Sequence, residues 1–234
     1  MFKDRNEAGI KLAEQLKAYK DKKEVIVLAI PRGGVRVGYE ISRLLNVELD
    51  VVVTKKIGLP DDEEFAIGSV APDKKVMLNE EAIRVYNVPK NYIKEKTKEI
   101  GKEIERRYKA YKGNYNLQNL KNRIVILTDD GVATGFTARA AIGYIKTQNP
   151  GKIILAVPVA PLDFSNEAAK EVDEFVCLHS TKIFSSIGQF YDSFAQLSDE
   201  EVKKTLKKSR TLKKLITQQN VRIRNSSLHS DCLS

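Results

Sequence analysis

Ile124-Val125-Ile126-Leu127-Thr128-Asp129-Asp130-Gly131-Val132-Ala133-Thr134-Gly135-Phe136-Thr137 joins an apolar run to a small-residue loop and then to a helical pattern. The run from Arg123 to Thr128 is short and β-branched, which marks a buried strand, and Gly135 to Lys146 reads as a helix. The same alternation recurs on either side. Upstream, Ala8, Leu12, Leu16 and Tyr19 fall at helical spacing before the run Val25 to Ile30. The turn Pro31-Arg32-Gly33-Gly34, a helix over 37–45 and a strand over 49–54 follow. Downstream come a strand over 152–157, a helix over 164–170 and a last buried strand over 175–178. Residues 90–112 carry Ile93, Ile100, Ile104 and Tyr108 on a helical stripe amid Lys, Glu and Arg, which predicts a long solvated helix ended by Gly113 and Asn114. Residues 55–73 are rich in Gly, Pro and charge and predict a long loop or splayed hairpin. Strands alternating with helices imply βαβ units, right-handed crossovers and a parallel sheet.

With 234 residues, 42% of them apolar, the chain can bury a full core. No stretch approaches the roughly 18 apolar residues of a membrane helix, and Met1-Phe2-Lys3-Asp4-Arg5 lacks a signal's apolar segment, so the expected location is the cytoplasm. Cys177 and Cys232 are too few and too far apart for a disulfide framework or metal knuckle, and only His179 and His229 add imidazoles. No directly bound metal is assured, and free thiols are expected. The net charge of +9 is concentrated at the C-terminal end. Residues 202–234 hold nine Lys or Arg against Asp231 alone, while the preceding body is nearly neutral. Leu206, Leu212, Leu215 and Ile216 lie among those lysines, so the segment is either a helix that meets a polyanion or a solvated extension. The solvated extension is preferred, because charge runs are commonly solvated faces.

A strand that delivers two carboxylates to a loop opening a helix suits a phosphorylated sugar. Backbone N–H groups at the helix N-terminus favour phosphate, and carboxylates accept hydrogen bonds from sugar hydroxyls. An ordinary strand-to-helix turn with a capping Asp is the alternative. Gly33 and Gly34 permit close approach of a polyanion, with Arg32 adding a fork of donors; a tight βα turn is the plainer explanation. Lys55 and Lys56 either meet anionic charge or are a solvated pair. Phe184, Phe190, Tyr191 and Phe194 lie within eleven residues and form either a core plug or a stacking surface.

The segment 124–137 resembles the signature of the type I phosphoribosyltransferase family: four apolar residues, two acids, small residues, then Thr-Gly-x-Thr. The resemblance spans about residues 2–202 and is closest to a prokaryotic group of unsettled substrate. It implies a parallel doubly wound α/β sheet with a flap over about 55–73, a small hood over about 179–197, and a basic extension over 203–234. It implies transfer of the phosphoribosyl group of 5-phosphoribosyl-1-pyrophosphate (PRPP) to a nitrogenous base, with Mg2+ carried mainly by the substrate. Asp129 and Asp130 would contact the ribose hydroxyls, and Gly131, Val132, Ala133, Thr134, Gly135, Phe136 and Thr137 would form the 5-phosphate loop. Arg32, Gly33, Gly34 and Lys56 would meet pyrophosphate, Arg32 also serving catalysis, while Phe184, Phe190 and Tyr191 would meet the base. Ala133 stands where many 6-oxopurine members carry a third acid, which speaks against standard hypoxanthine or guanine salvage. The family is commonly dimeric, so a homodimer is a further expectation. A PRPP-sensing regulator that binds nucleic acid through the basic segment remains a different class of function.

Overall fold

The computed structural model describes residues 1–63 and 65–230, without the side chains of residues 217 and 219–230. In chain order, α1 (Arg5–Gln15), β1 (Val25–Ala29), α2 (Gly34–Leu45) and β2 (Glu48–Val51) come first. Three short strands follow, β3 (Lys55–Gly58), β4 (Ala66–Val70) and β5 (Val76–Leu78), then α3 (Glu80–Val85) and α4 (Lys90–Lys112). The remainder is β6 (Ile124–Thr128), α5 (Phe136–Thr147), β7 (Lys152–Pro161), α6 (Leu162–Glu171), β8 (Glu174–Thr181) and α7 (Asp199–Ser230).

The central sheet runs β2-β1-β6-β7-β8 with every pairing parallel. Its inner strands are continuous apolar runs because both faces are covered. Val25, Val27 and Ala29 join the cluster of α1, α2, α4 and α7, while Ile26, Leu28 and Ile30 join that of α5 and α6. The chain steps from β1 outward to β2, returns to β6 on the other side of β1, and then proceeds through β7 to β8. The direction of winding therefore reverses between β1 and β6, where open α/β sheets form a ligand crevice at the strands' carboxyl ends.

Three elements differ from the sequence expectation. Residues 55–73 are neither a loop nor a splayed hairpin alone: β3, β4 and β5 make an antiparallel sheet whose Ile57, Ile67 and Val70 are fully buried. Strands of four, five and three residues are too short to show a period of two. The last strand is an edge, not a buried strand. β8 pairs with β7 alone and stays half-buried over residues 174–178. The C-terminal segment is helical through Ser230 and is not simply a solvated extension, since Val202 and Leu206 enter the main core and Thr205 and Ser209 are buried beside them. Spacing of three and four residues builds that buried face, and the lysines occupy the rest of the helix. The boundary expected at 202/203 falls inside α7. Cys177 is a free thiol whose pKa burial pushes up to about 11. Cys232 lies outside the described residues, as do the side chain of His229 and the residue Glu64. Among the described residues, no helix is long and apolar enough to cross a membrane.

Candidate functional site

Two loops leave adjacent strands at the reversal point and pack against each other. After β1, Pro31 to Gly33 lead into α2; after β6, Asp129 to Gly135 lead into α5. A Cβ on Gly33 would lie 1.8 Å from Asp130 Oδ2, and one on Gly34 would lie 2.7 Å from Asp129 Cα. The glycines are thus required by the close approach of the two loops. Neither α2 nor α5 has a side-chain cap at its N-terminus, where Gly33 and Gly135 take the cap positions. The positive ends of two helix dipoles therefore face the same crevice, although at α2 the Val35 and Arg36 N–H groups already donate to Arg32 O and Gly33 O, both at 3.2 Å.

Gly135 adopts φ +80°, and a Cβ there would strike the Phe164 ring at 2.4 Å. Val132 is buried and anchored to β7 through its N–H to Val159 O at 2.9 Å. Ala133 and Thr134 are left exposed at the crest, and Phe136 and Thr137 are half-buried at the start of α5. The Thr54 hydroxyl donates to Thr137 O at 3.1 Å, tying the end of β2 to this loop. At the strand end, the fully buried Thr128 Oγ1 has no hydrogen-bond partner among the described residues, an uncommon state for a buried hydroxyl.

The two carboxylates are not equivalent. Asp130 is buried and accepts from Arg5 Nε at 2.6 Å. Asp129 is half-buried, and its Oδ1 accepts from Asp130 N at 2.8 Å. Burial, and then the charge of Asp130 beside it, hold the Asp129 carboxyl well above the usual carboxylate range. Its folded pKa is raised above the unfolded value of about 3.9, so ionising it in the folded state costs stability as pH rises through the folded pKa, and below the unfolded pKa the cost is absent. Asp129→Asn keeps the Oδ1 acceptor and removes that charge. It should raise the melting temperature at neutral pH, each kcal/mol giving about 2–4 °C, and change it little in acid below about pH 4. A lower melting temperature at neutral pH would contradict this assignment.

The structure brings Gly33 and Gly34 against Asp130 and Asp129, at the start of the loop that runs to Thr137, while the Arg32 side chain leads away from them. Arg32 reaches α7, with Nη1 3.8 Å from Asp199 Oδ1. The segment expected to form a hood packs underneath at Ile187, which a Cβ on Gly131 would meet at 2.6 Å. Tyr191 is buried, stacks on Phe2 and donates its hydroxyl to Asp130 O at 2.6 Å, so it supports the loop from below. Phe184 and Phe190 pair with ring centroids 5.3 Å apart and stay half-buried. Lys56 lies on β3 and lines a 240 Å³ cavity with Tyr92 and Lys96, a cavity whose lining includes no residue of either loop.

Sequence reasoning missed Arg5 and Asp199. Arg5 is buried, donates Nη1–H to Ala195 O at 2.8 Å and stacks its guanidinium 3.8 Å from the Phe194 ring centroid. The signal was present: Arg5 precedes Ala8 and Leu12 by three and seven residues, so it lies on the apolar stripe of α1, where a charge needs a buried partner. Asp199 accepts from Tyr111 Oη at 2.8 Å and from Arg106 at 3.1 Å, an arrangement with no local sequence signature.

Residues 3–194 match the phosphoribosyl transferase domain family. A Mycobacterium tuberculosis H37Rv protein named "Putative phosphoribosyl transferase Rv0571c" is 37% identical over 202 residues, covering 86% of this chain and 45% of its own length. Its counterpart in strain CDC 1551 matches equally. The chain thus spans about half the length of the curated relatives it matches. The crystal structure of TT1426 from Thermus thermophilus superposes with a TM-score of 0.73 at 34% identity, covering 88% of this chain and 97% of that one. With the signature loop in place at the reversal of the sheet, the chain belongs to the phosphoribosyl transferase domain family.

Proposed function

We propose that this chain transfers the 5-phosphoribosyl group of PRPP to a nitrogenous base in the cytoplasm and releases pyrophosphate. The observation that carries this is the pair of glycine-led helix N-termini without side-chain caps, α2 and α5, opening at one crevice beside Asp129. The α5 terminus with Thr134 and Thr137 suits the 5-phosphate, and the α2 terminus with Arg32 suits the diphosphate. The base nitrogen attacks C1 as the C1–O bond to pyrophosphate breaks, and positive charge builds on the sugar. Asp129 would accept from the ribose hydroxyls and favour that charge, and Arg32 would stabilise the leaving group. Asp130, held by Arg5, would shape the loop around the ribose.

Among the described residues no cluster of three or more His, Cys, Asp or Glu could hold a metal. The two carboxylates at the strand end would suit a magnesium ion carried mainly by the substrate's oxygens and waters, with Asp129 the one not engaged by Arg5. Mg2+ would supply charge neutralisation of the departing diphosphate. The exposed Ala133 provides no carboxylate to take a proton from the base, which supports an acceptor other than hypoxanthine or guanine.

Calorimetric titration with PRPP and magnesium tests the proposal. Wild type should bind, and Asp129→Asn, which leaves the Arg5–Asp130 pair in place, should lose at least about tenfold in affinity, the equivalent of one charge-assisted hydrogen bond. Absence of wild-type binding would sink the phosphoribosyl assignment. Binding without release of pyrophosphate across a panel of bases would favour a sensing role instead.

A further inference from the structure

The α4–α7 junction holds a strongly charged groove that the transfer reaction does not use. Its volume is about 410 Å³, and five of its eight lining residues are cations, Lys109, Lys112, Lys203, Lys207 and Arg210, with no acid among them. Elsewhere on the surface some bases are matched with acids, as Arg43 with Glu40 and Arg139 with Glu171, and others such as Lys17 and Lys146 stand singly among the described residues; the groove differs in gathering five cations on one lining. In the groove the matching is incomplete. Lys109 pairs with Glu105 and Lys203 with Glu200, while Lys112 is turned inward to the buried Asp50. Lys207 and Arg210 are exposed, and no ion pair involves either among the described residues.

The cations are also held in line. Lys203, Lys207, Arg210 and Lys214 are spaced by four, three and four residues, so they share one face of α7 over about 16 Å of helix. The neighbouring face, Val202, Thr205, Leu206 and Ser209, is buried against the core, which fixes the basic stripe in place before any partner arrives. Arg210 and Lys214 continue into an adjoining 540 Å³ cleft. The two acids of that cleft are already engaged, Glu48 by Arg123 at 2.8 Å and Asp50 by Lys112 at 2.6 Å.

The geometry points to a binding site for the phosphodiester backbone of nucleic acid along the α4–α7 groove, without readout of base sequence. A line of fixed cations about 16 Å long exceeds what one diphosphate or triphosphate covers and suits successive phosphates. The groove lining itself offers no large exposed apolar anchor for a peptide: Tyr111 is buried, with its hydroxyl committed to Asp199, and Ala110 is small and half-buried. The site stands apart from the proposed transfer crevice and does not depend on that assignment.

The test uses the full chain, because deleting residues 203–234 would also remove Leu206 from the core. Fluorescence anisotropy with a labelled mixed-sequence RNA oligonucleotide, and with duplex DNA, should show binding whose log–log salt slope is about −3 to −4, as expected when the four cations of the α7 stripe each neutralise a phosphate. Lys207→Glu/Arg210→Glu, at two exposed positions, should weaken binding at least about tenfold and flatten the slope by about two. Its PRPP titration and melting temperature should match wild type, and Lys207→Gln/Arg210→Gln repeats the measurement should the charge reversal disturb folding. Unlabelled polyglutamate and inorganic polyphosphate serve as competitors. The proposal is overturned if neither nucleic acid binds, if the folded variants bind as wild type does, or if polyglutamate competes as well as RNA, which would mark an acidic protein partner. Competition by polyphosphate alone, with no nucleic acid bound, also overturns it.

Discussion

Replacing Arg5 with methionine is expected to lower the unfolding free energy by about 3–5 kcal/mol, the usual consequence of removing one partner of a buried ion pair. The pair is buried on both sides, with side-chain exposures of 10% for Arg5 and 12% for Asp130. Asp130 would be left beneath Gly33 without its donor, and Ala195 O and the Phe194 ring would lose their contacts as well. Arg5→Lys keeps the charge without the planar fork, so its loss should be smaller but still measurable. Urea unfolding of the three proteins measures this directly, provided the m-values agree. A loss for Arg5→Met under about 1 kcal/mol would mean that the pair behaves as a surface ion pair.

Gly135→Ala should cost about 1–2 kcal/mol for the left-handed backbone and about 1–3 kcal/mol more for overpacking against Phe164. It should also weaken PRPP binding sharply, because relief of the clash must move the start of α5 and the N–H groups there. Gly113→Ala separates the two contributions. Gly113 has nearly the same φ, +81° against +80°, yet nothing lies within 4 Å of a Cβ built on it. That variant should lose only the conformational part and bind PRPP as wild type does. Equal losses at the two positions would remove Phe164 from the account.

Sheet, helices and signature loop were legible in the sequence for a physical reason. Strands β1, β6 and β7 are buried on both faces, so they stand out as unbroken apolar runs, and α4 is long enough for its stripe to repeat several times. Its bounds are those expected, 90–112, because the φ +81° at Gly113 is a helix stop that sequence alone announces. Short elements were not legible. The six residues of α3 hold too few turns to show a period, although Asn79 caps them by accepting from Ala82 N. Strands β3 to β5 were hidden among the charged and turn-forming residues that surround them. For α7 the charge obscured the packing: only the spacing of Val202, Thr205, Leu206 and Ser209 marks the buried face, and the lysines dominate the composition.

At the site, the residue types and their loops were set by the sequence alone: a strand end with two acids, a glycine that must adopt a left-handed backbone, and a Gly-Gly turn after β1. These are local features, because turn chemistry and periodicity act over a few residues. Only the tertiary structure decided which of the acids is tied to a cation. Arg5 and Asp130 are 125 residues apart in the chain, and they meet because α1 packs beside the end of β6, where Tyr191 also donates to Asp130 O. That pairing commits one carboxylate and leaves the other partly exposed with a raised pKa, a difference that Asp129 and Asp130 cannot express as neighbours in a sequence. Residues 184–194, likewise, were visible as a run of aromatics, but whether Tyr191 faces a ligand or supports the loop depends on what covers it, and burial is a property of the folded chain.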